Sequence, residues 1–183
     1  MRASRATRVT LDGPITMNDI VVRNASREDV EILSLFIHQS AAEQDGLDEV
    51  AVTPENLMAD GFGSNPLFSA LVAEWDGAPA GFALYFPNYS TWMSRRGIYL
   101  EDLYVVPECR RRGIARALMI RLAGVALELG GGRINWLVLR ENAAATAFYQ
   151  RLGAELGHEW MPARLVGVDL TTLAGTTLAP REE

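Results

Sequence analysis

The chain has 183 residues and a formal net charge of −6, set by 17 basic and 23 acidic residues; every basic residue is arginine, and one cysteine is present. That length suffices for one good hydrophobic core, and the single thiol, Cys109, excludes an internal disulfide framework and points to a reducing, cytoplasmic setting. No apolar run approaches the ~20 residues that span a bilayer, and a net acidic chain is a poor general nucleic-acid binder, so neither a membrane nor a nucleic acid is expected as partner.

Residues 1–18 read as a flexible polar appendage broken at Asp12-Gly13-Pro14, and 19–171 as one domain. Ile20–Arg23 reads as a short strand. Ser26 with Asp29 forms a capping box, and Val30, Leu33 and Ile37 follow at helical spacing to about Ala42. Thr53-Pro54 opens a second helix that ends near Asp60-Gly61-Phe62-Gly63. Phe68–Trp75 and Ala80–Tyr85 read as strands joined at Asp76-Gly77, a hairpin turn signal. Gly97–Val106 is a long strand stopped by Pro107. Ile114, Leu118, Leu122, Val125 and Leu129 mark one face of a helix closed by Gly130-Gly131-Gly132. Ile134–Leu139 reads as a buried strand and Asn142–Leu152 as a helix. The stretches 155–160 and 164–170 read as a final hairpin around Met161-Pro162, with 172–183 as a tail. The order β-α-α-β-β-β-α-β-α-β-β predicts an α/β (α+β) domain, a mixed, mostly antiparallel central sheet flanked by helices.

Charge divides along the chain. Residues 28–94 carry eleven acids and no arginine, whereas 95–164 carry eleven arginines against seven acids. The first block suits a cation and the second an anion. The sharpest local feature is Val105 to Ala115, where a strand ends, a basic loop follows and a helix starts at Gly113. A helix start offers free N–H groups and partial positive charge, a setting for a pyrophosphate. Gly113 and Ala115 keep side chains clear of it. Glu101 and Asp102 are adjacent acids in an apolar strand. Strand alternation sends them to opposite faces, so separate roles are expected. Glu43, Asp45, Asp48 and Glu49 form an acidic loop, either solvated or arranged for an ammonium group. Trp136 and Phe148 read as core aromatics. His38 and His158 are isolated, so no metal site is expected.

With Arg110-Arg111-Arg112-Gly113-Ile114-Ala115 in place, the chain resembles the GNAT N-acetyltransferases from about Val21 to Leu170. Within them it is similar to the diamine branch, the spermidine/spermine and thialysine acetyltransferases. That likeness rests on Asp60-Gly61-Phe62-Gly63, Leu71-Val72-Ala73-Glu74, Gly81-Phe82-Ala83, Tyr99 to Val105, and Asn142 through Phe148-Tyr149 to Gly153-Ala154. The sequence departs from the branch at Ala115, in the 43–52 loop and around 155–163. The resemblance implies acetyl-CoA as co-substrate. Its binding residues would be Arg110, Arg111, Arg112, Gly113, Ile114, Ala115, Arg116 and Asn142, with the backbone of Leu103, Tyr104 and Val105. It implies Glu101 as the group that binds and deprotonates the amine through water, and Tyr149 as the acid that protonates the leaving thiolate. It places Glu43, Asp45, Asp102, Trp136 and Glu159 at the amine. The substrate implied is a small cationic amine, a diamine, polyamine or basic amino acid, attacked directly in a ternary complex of a homodimer. The alternatives are a non-catalytic acyl-CoA-binding module, or acetylation of another small molecule or a protein amine.

Overall fold

The computed structural model describes residues 13–17, 19–157 and 161–175. Among them one six-stranded sheet runs in chain order: β1 (Ile15–Met17), β2 (Ile20–Asn24), β3 (Ser69–Trp75), β4 (Ala78–Ser90), β5 (Arg95–Val105) and β6 (Ile134–Asn135). Neighbours pair antiparallel except β5 with β6, which pair parallel. The mixed, mostly antiparallel sheet is the expected one. The helices of this part are α1 (Val30–Ala42), α2 (Pro54–Phe62) and α3 (Ile114–Glu128).

Local chemistry accounts for several of these boundaries. Asp29 accepts the Ser26 N–H at 2.7 Å ahead of α1, and Thr53 Oγ1 accepts the Asn56 N–H at 3.2 Å at the start of α2. The β3–β4 turn has Asp76 at φ 52 and Gly77 at φ 74, the left-handed pair that a two-residue hairpin needs. β4 runs past Tyr85 through Pro87, farther than alternation suggested. β3 stops opposite Tyr85, so from Pro87 onward β4 is an edge, where a residue without an N–H costs no ladder bond.

Each face of the sheet carries its own core. Val72, Phe82, Leu84 and Tyr104 face Val30, Leu33 and Phe36 of α1 and Leu57 of α2. The alternate residues Val22, Leu71, Ala73, Ala83 and Leu100 lie on the other face, where Ile114, Leu118 and Leu122 of α3 are equally buried.

Three expectations need correction. Residues 15–17, expected within the flexible appendage, pair with β2 as β1. The strand over Ile134–Leu139 is only Ile134–Asn135, because its parallel pairing with β5 stops at Tyr99. The second strand of the final hairpin, 164–170, is not a strand either. Residues 164–166 are irregular, and Gly167–Ala174 form a helix. Asp169 lies in its first turn, and Thr171 Oγ1 donates to the Val168 carbonyl at 2.9 Å. In the first strand, 155–160, residues 155–157 are irregular rather than extended in a sheet, and 158–160 lie outside the described residues. The described residues from Val138 onward belong to a second compact unit, with α4 (Ala143–Arg151) and α5 (Gly167–Ala174).

Candidate active site

β5 carries the two acids, and its register with β4 decides where they point. Tyr85 lies opposite Leu100 and Leu84 opposite Asp102, so Glu101 has no partner on β4. It is the extra residue of a β-bulge. Leu100 and Leu103, opposite Tyr85 and Ala83, both lie on the α3 face. The two residues between them therefore share the α1 face, alongside Tyr104. This overturns the expectation of opposite faces: the bulge cancels the alternation and aligns both carboxylates. Glu101 is exposed and Asp102 half-buried. Burial, then the Glu101 charge, raises the Asp102 carboxyl from 3.8 to about 6.

Two residues farther on, Tyr104 reaches α1. Its hydroxyl donates to Gln39 Oε1 at 3.3 Å, and Glu43 Oε1 lies at 3.5 Å. Arg110 closes over this corner. Its Nη2 donates to both Glu43 oxygens at 2.5 and 2.6 Å, and its Nε to the Val105 carbonyl at 2.9 Å. The guanidinium carbon sits 5.8 Å from the Tyr104 ring centre. A shallow hollow of about 280 Å³ opens beside it, bordered by Gln39, Glu43, Tyr104 and Glu108. Glu43 and Arg110, expected at different substrates, thus hold each other. Asp45 is exposed in the turn after α1, at φ 54, and Trp136 is half-buried just past β6.

The edge of β5 is selective. The Val106 N–H donates to the Ala80 carbonyl at 3.0 Å. Bonded residues alternate along an antiparallel ladder, so Tyr104 spends its backbone groups on β4, opposite Phe82. Leu103 and Val105 turn theirs toward the β6 side. β6 pairs only with Ile98 and Tyr99, so among the described residues Leu103 and Val105 have no strand partner there. Of the three residues expected to offer backbone groups, Tyr104 contributes its side chain to the α1 corner instead.

Past β5 the loop makes a 3-10 turn at Pro107–Cys109 and enters α3. Arg111 at φ 64 and Gly113 at φ 93 are left-handed. Such residues interspersed in a turn gather successive N–H groups into a concave nest for an anion. A Cβ at Gly113 would meet only Ile20 Cδ1, at 4.0 Å; glycine is required there by its dihedral angle, not by space. Arg111 and Arg116 are exposed. Arg112 stacks over Trp75 at 4.0 Å, an anchor that no local pattern signalled. Ile114 is buried and Ala115 half-buried.

In the second unit Asn142 caps α4, its Oδ1 accepting the Ala145 N–H at 3.0 Å. Tyr149 is buried, and burial pushes its hydroxyl up to about 12. Glu159 lies outside the described residues. Among the described residues no group of three His, Cys, Asp or Glu side chains is arranged to hold a metal, and no helix is long and apolar enough to cross a membrane.

The acetyltransferase (GNAT) family model matches residues 35–154. The chain is 38% identical over 170 residues to thialysine N-epsilon-acetyltransferase of Sus scrofa, covering 87% of this chain and 99% of that one. It is 32% identical over 146 residues to spermidine/spermine N(1)-acetyltransferase-like protein 1 of Homo sapiens, covering 76% of this chain and 21% of that one. Against L-ornithine N5-acetyltransferase of Arabidopsis thaliana the identity is 40% over 88 residues, 48% of this chain and 39% of the other. Among solved structures, an integron cassette protein from V. cholerae shares the fold, with a TM-score of 0.71 at 23% identity, covering 86% of this chain and 99% of that chain. The family model over residues 35–154 and the likeness to the thialysine acetyltransferase decide the family: the chain belongs to the acetyltransferase (GNAT) family and is an N-acetyltransferase.

Proposed function

We propose that the protein acetylates the side-chain amine of a small cationic substrate, a basic amino acid or a diamine, by direct attack in a ternary complex. The observation that carries this reading is the bulge at Glu101, which turns two carboxylates to one face of β5. The names of the thialysine, ornithine and spermidine/spermine relatives support the substrate class.

The loop fits acetyl-CoA on its own geometry. The nest at Arg111–Gly113 and the N-terminus of α3 suit a pyrophosphate, with Arg111 and Arg116 adding charge. Leu103 and Val105 present backbone groups along the open edge, as an amide-bearing arm requires. Acetyl-CoA supplies the activated thioester. The residues of the chain do the rest. An alkylammonium is almost wholly protonated at neutral pH, and freeing its lone pair costs about 4 kcal/mol. Glu101, exposed to solvent, takes that proton through water, while Asp102 and Glu43 supply the negative field that holds the cation. The Val105 N–H is free of the ladder and holds the developing oxyanion. Tyr149 protonates the thiolate. Burial pushes its hydroxyl up to about 12, so the transfer needs a thiolate whose own basicity desolvation has raised. Asn142 assists in holding CoA. Asp45, Trp136 and Glu159 complete the amine side. The same resemblance extends the reading to a cytoplasmic homodimer, which light scattering checks for oligomeric state.

The test is a free-thiol assay with acetyl-CoA against a panel of amines. Thialysine, ornithine, lysine and spermidine should release thiol, and the acetyl group should be found on the side-chain or terminal amine. Thiol release with aminoglycosides or protein N-termini alone would overturn the substrate class. Tight CoA binding without turnover of any amine would favour a non-catalytic acyl-CoA module.

A further inference from the structure

Arg110 occupies an acceptor that each of the two substrates needs. Its Nη2 holds both oxygens of Glu43, the carboxylate on the amine side. Its Nε holds the carbonyl of Val105, on the open edge of β5. The guanidinium also lies over the Tyr104 ring, beside the hollow bordered by Gln39, Glu43 and Glu108. In charge and in contacts this is where a substrate cation would sit. The contact is also easily exchanged: the side chains of Arg110 and Glu43 are 42% and 41% exposed, and an ion pair in water is weak enough for a ligand to replace.

We propose that Arg110 is an internal stand-in for the cationic substrate, a latch held on Glu43 and Val105 that acyl-CoA opens when its phosphates draw the guanidinium into the loop. Opening frees a carboxylate for the amine and a carbonyl for the pantetheine arm in one motion. The first ligand to bind breaks the latch, and the second no longer has to. The two affinities are therefore coupled, and the coupling is reciprocal. The inference rests on the assignment of the 110–116 loop to CoA and of Glu43 to the amine.

The latch makes an unusual prediction for Glu43, that neutralising it strengthens binding of the other substrate. Titration calorimetry with CoA alone should show E43Q binding CoA roughly two- to five-fold tighter than wild type, the range set by an exposed ion pair. R110Q should bind CoA more weakly. In an R110Q background E43Q should have no effect, because the latch is already absent. Equal tightening in both backgrounds would mark a general charge effect and overturn the latch. Unchanged or weaker CoA binding by E43Q would also overturn it, and would leave Arg110 as a fixed staple between β5 and α1. A second titration does not need E43Q to fold. CoA should tighten thialysine binding to the wild type roughly two- to five-fold, and R110Q should lose that gain; coupling that persists unchanged in R110Q overturns the proposal. Failure of the wild type to bind CoA at all would overturn the loop assignment, and this inference with it. Wild-type CoA binding without the E43Q effect overturns the latch alone.

Discussion

Asp102→Asn should make the folded protein more stable at neutral pH while impairing its work on the amine. Among the described residues no hydrogen bond or ion pair reaches the Asp102 carboxylate, which is half-buried beside Glu101. Its ionised form is therefore disfavoured in the native state, and its titration is raised from 3.8 to about 6. Such a gap corresponds to about 3 kcal/mol, a ceiling that water access lowers. The folded value lies above the unfolded one. The penalty is thus absent below 3.8 and complete above about 6. Asn keeps the shape and carries no such penalty. Urea unfolding of wild type and D102N should give nearly equal stabilities at about pH 4 and an advantage for D102N of about 1–3 kcal/mol at about pH 7. The same variant should raise KM for the amine. E101Q should recover part of the stability gain by removing the neighbouring charge. A D102N advantage that is negative, or flat between those two pH values, would refute the claim that this carboxylate is held at a cost to the fold.

Asp29 works in the opposite sense. Arg23 at 2.7 Å and the Ser26 N–H hold its carboxyl down to about 2. D29N should lose about 2 kcal/mol at neutral pH, and wild type should lose the same amount as pH falls from 3.8 toward 2, read by urea unfolding at each pH. Gly113→Ala should force a φ of 93 on a residue with a side chain, costing about 1–2 kcal/mol; calorimetry should show weaker CoA binding, and a wild-type affinity would show that the loop tolerates another shape. Tyr149→Phe should lower kcat by about 100-fold or more, whereas full kcat at every pH would exclude the donor role. Because burial pushes this hydroxyl up to about 12, any alkaline limb seen below about pH 10 in wild type belongs to another group, and it should survive in Y149F. Glu101→Gln should move the acid limb of kcat/KM; a profile that moves in D102N instead would transfer the base role to Asp102.

Features decided by neighbours along the chain were legible in the sequence. The caps at Ser26–Asp29 and Thr53, the turn at Asp76-Gly77 and the strand–loop–helix at 105–115 each need only a few consecutive residues, whose dihedral angles and donors decide the outcome locally. The GNAT resemblance and the choice of β5 as the strand that carries the acids rested on the same continuous stretches. What pairing decides was not legible. Alternation places Glu101 and Asp102 on opposite faces until Leu84 pairs with Asp102 and Tyr85 with Leu100, a register chosen by the packing of both cores. The early end of β6 and the helix at 167–174 likewise ran against local strand-like patterns. The Glu43–Arg110 contact joins residues 67 apart in sequence, and neither residue's neighbours announce it. Charge composition separated an acidic block from a basic one, but only the fold brings one acid and one arginine from those blocks onto each other, because α1 packs against the strand that feeds the loop.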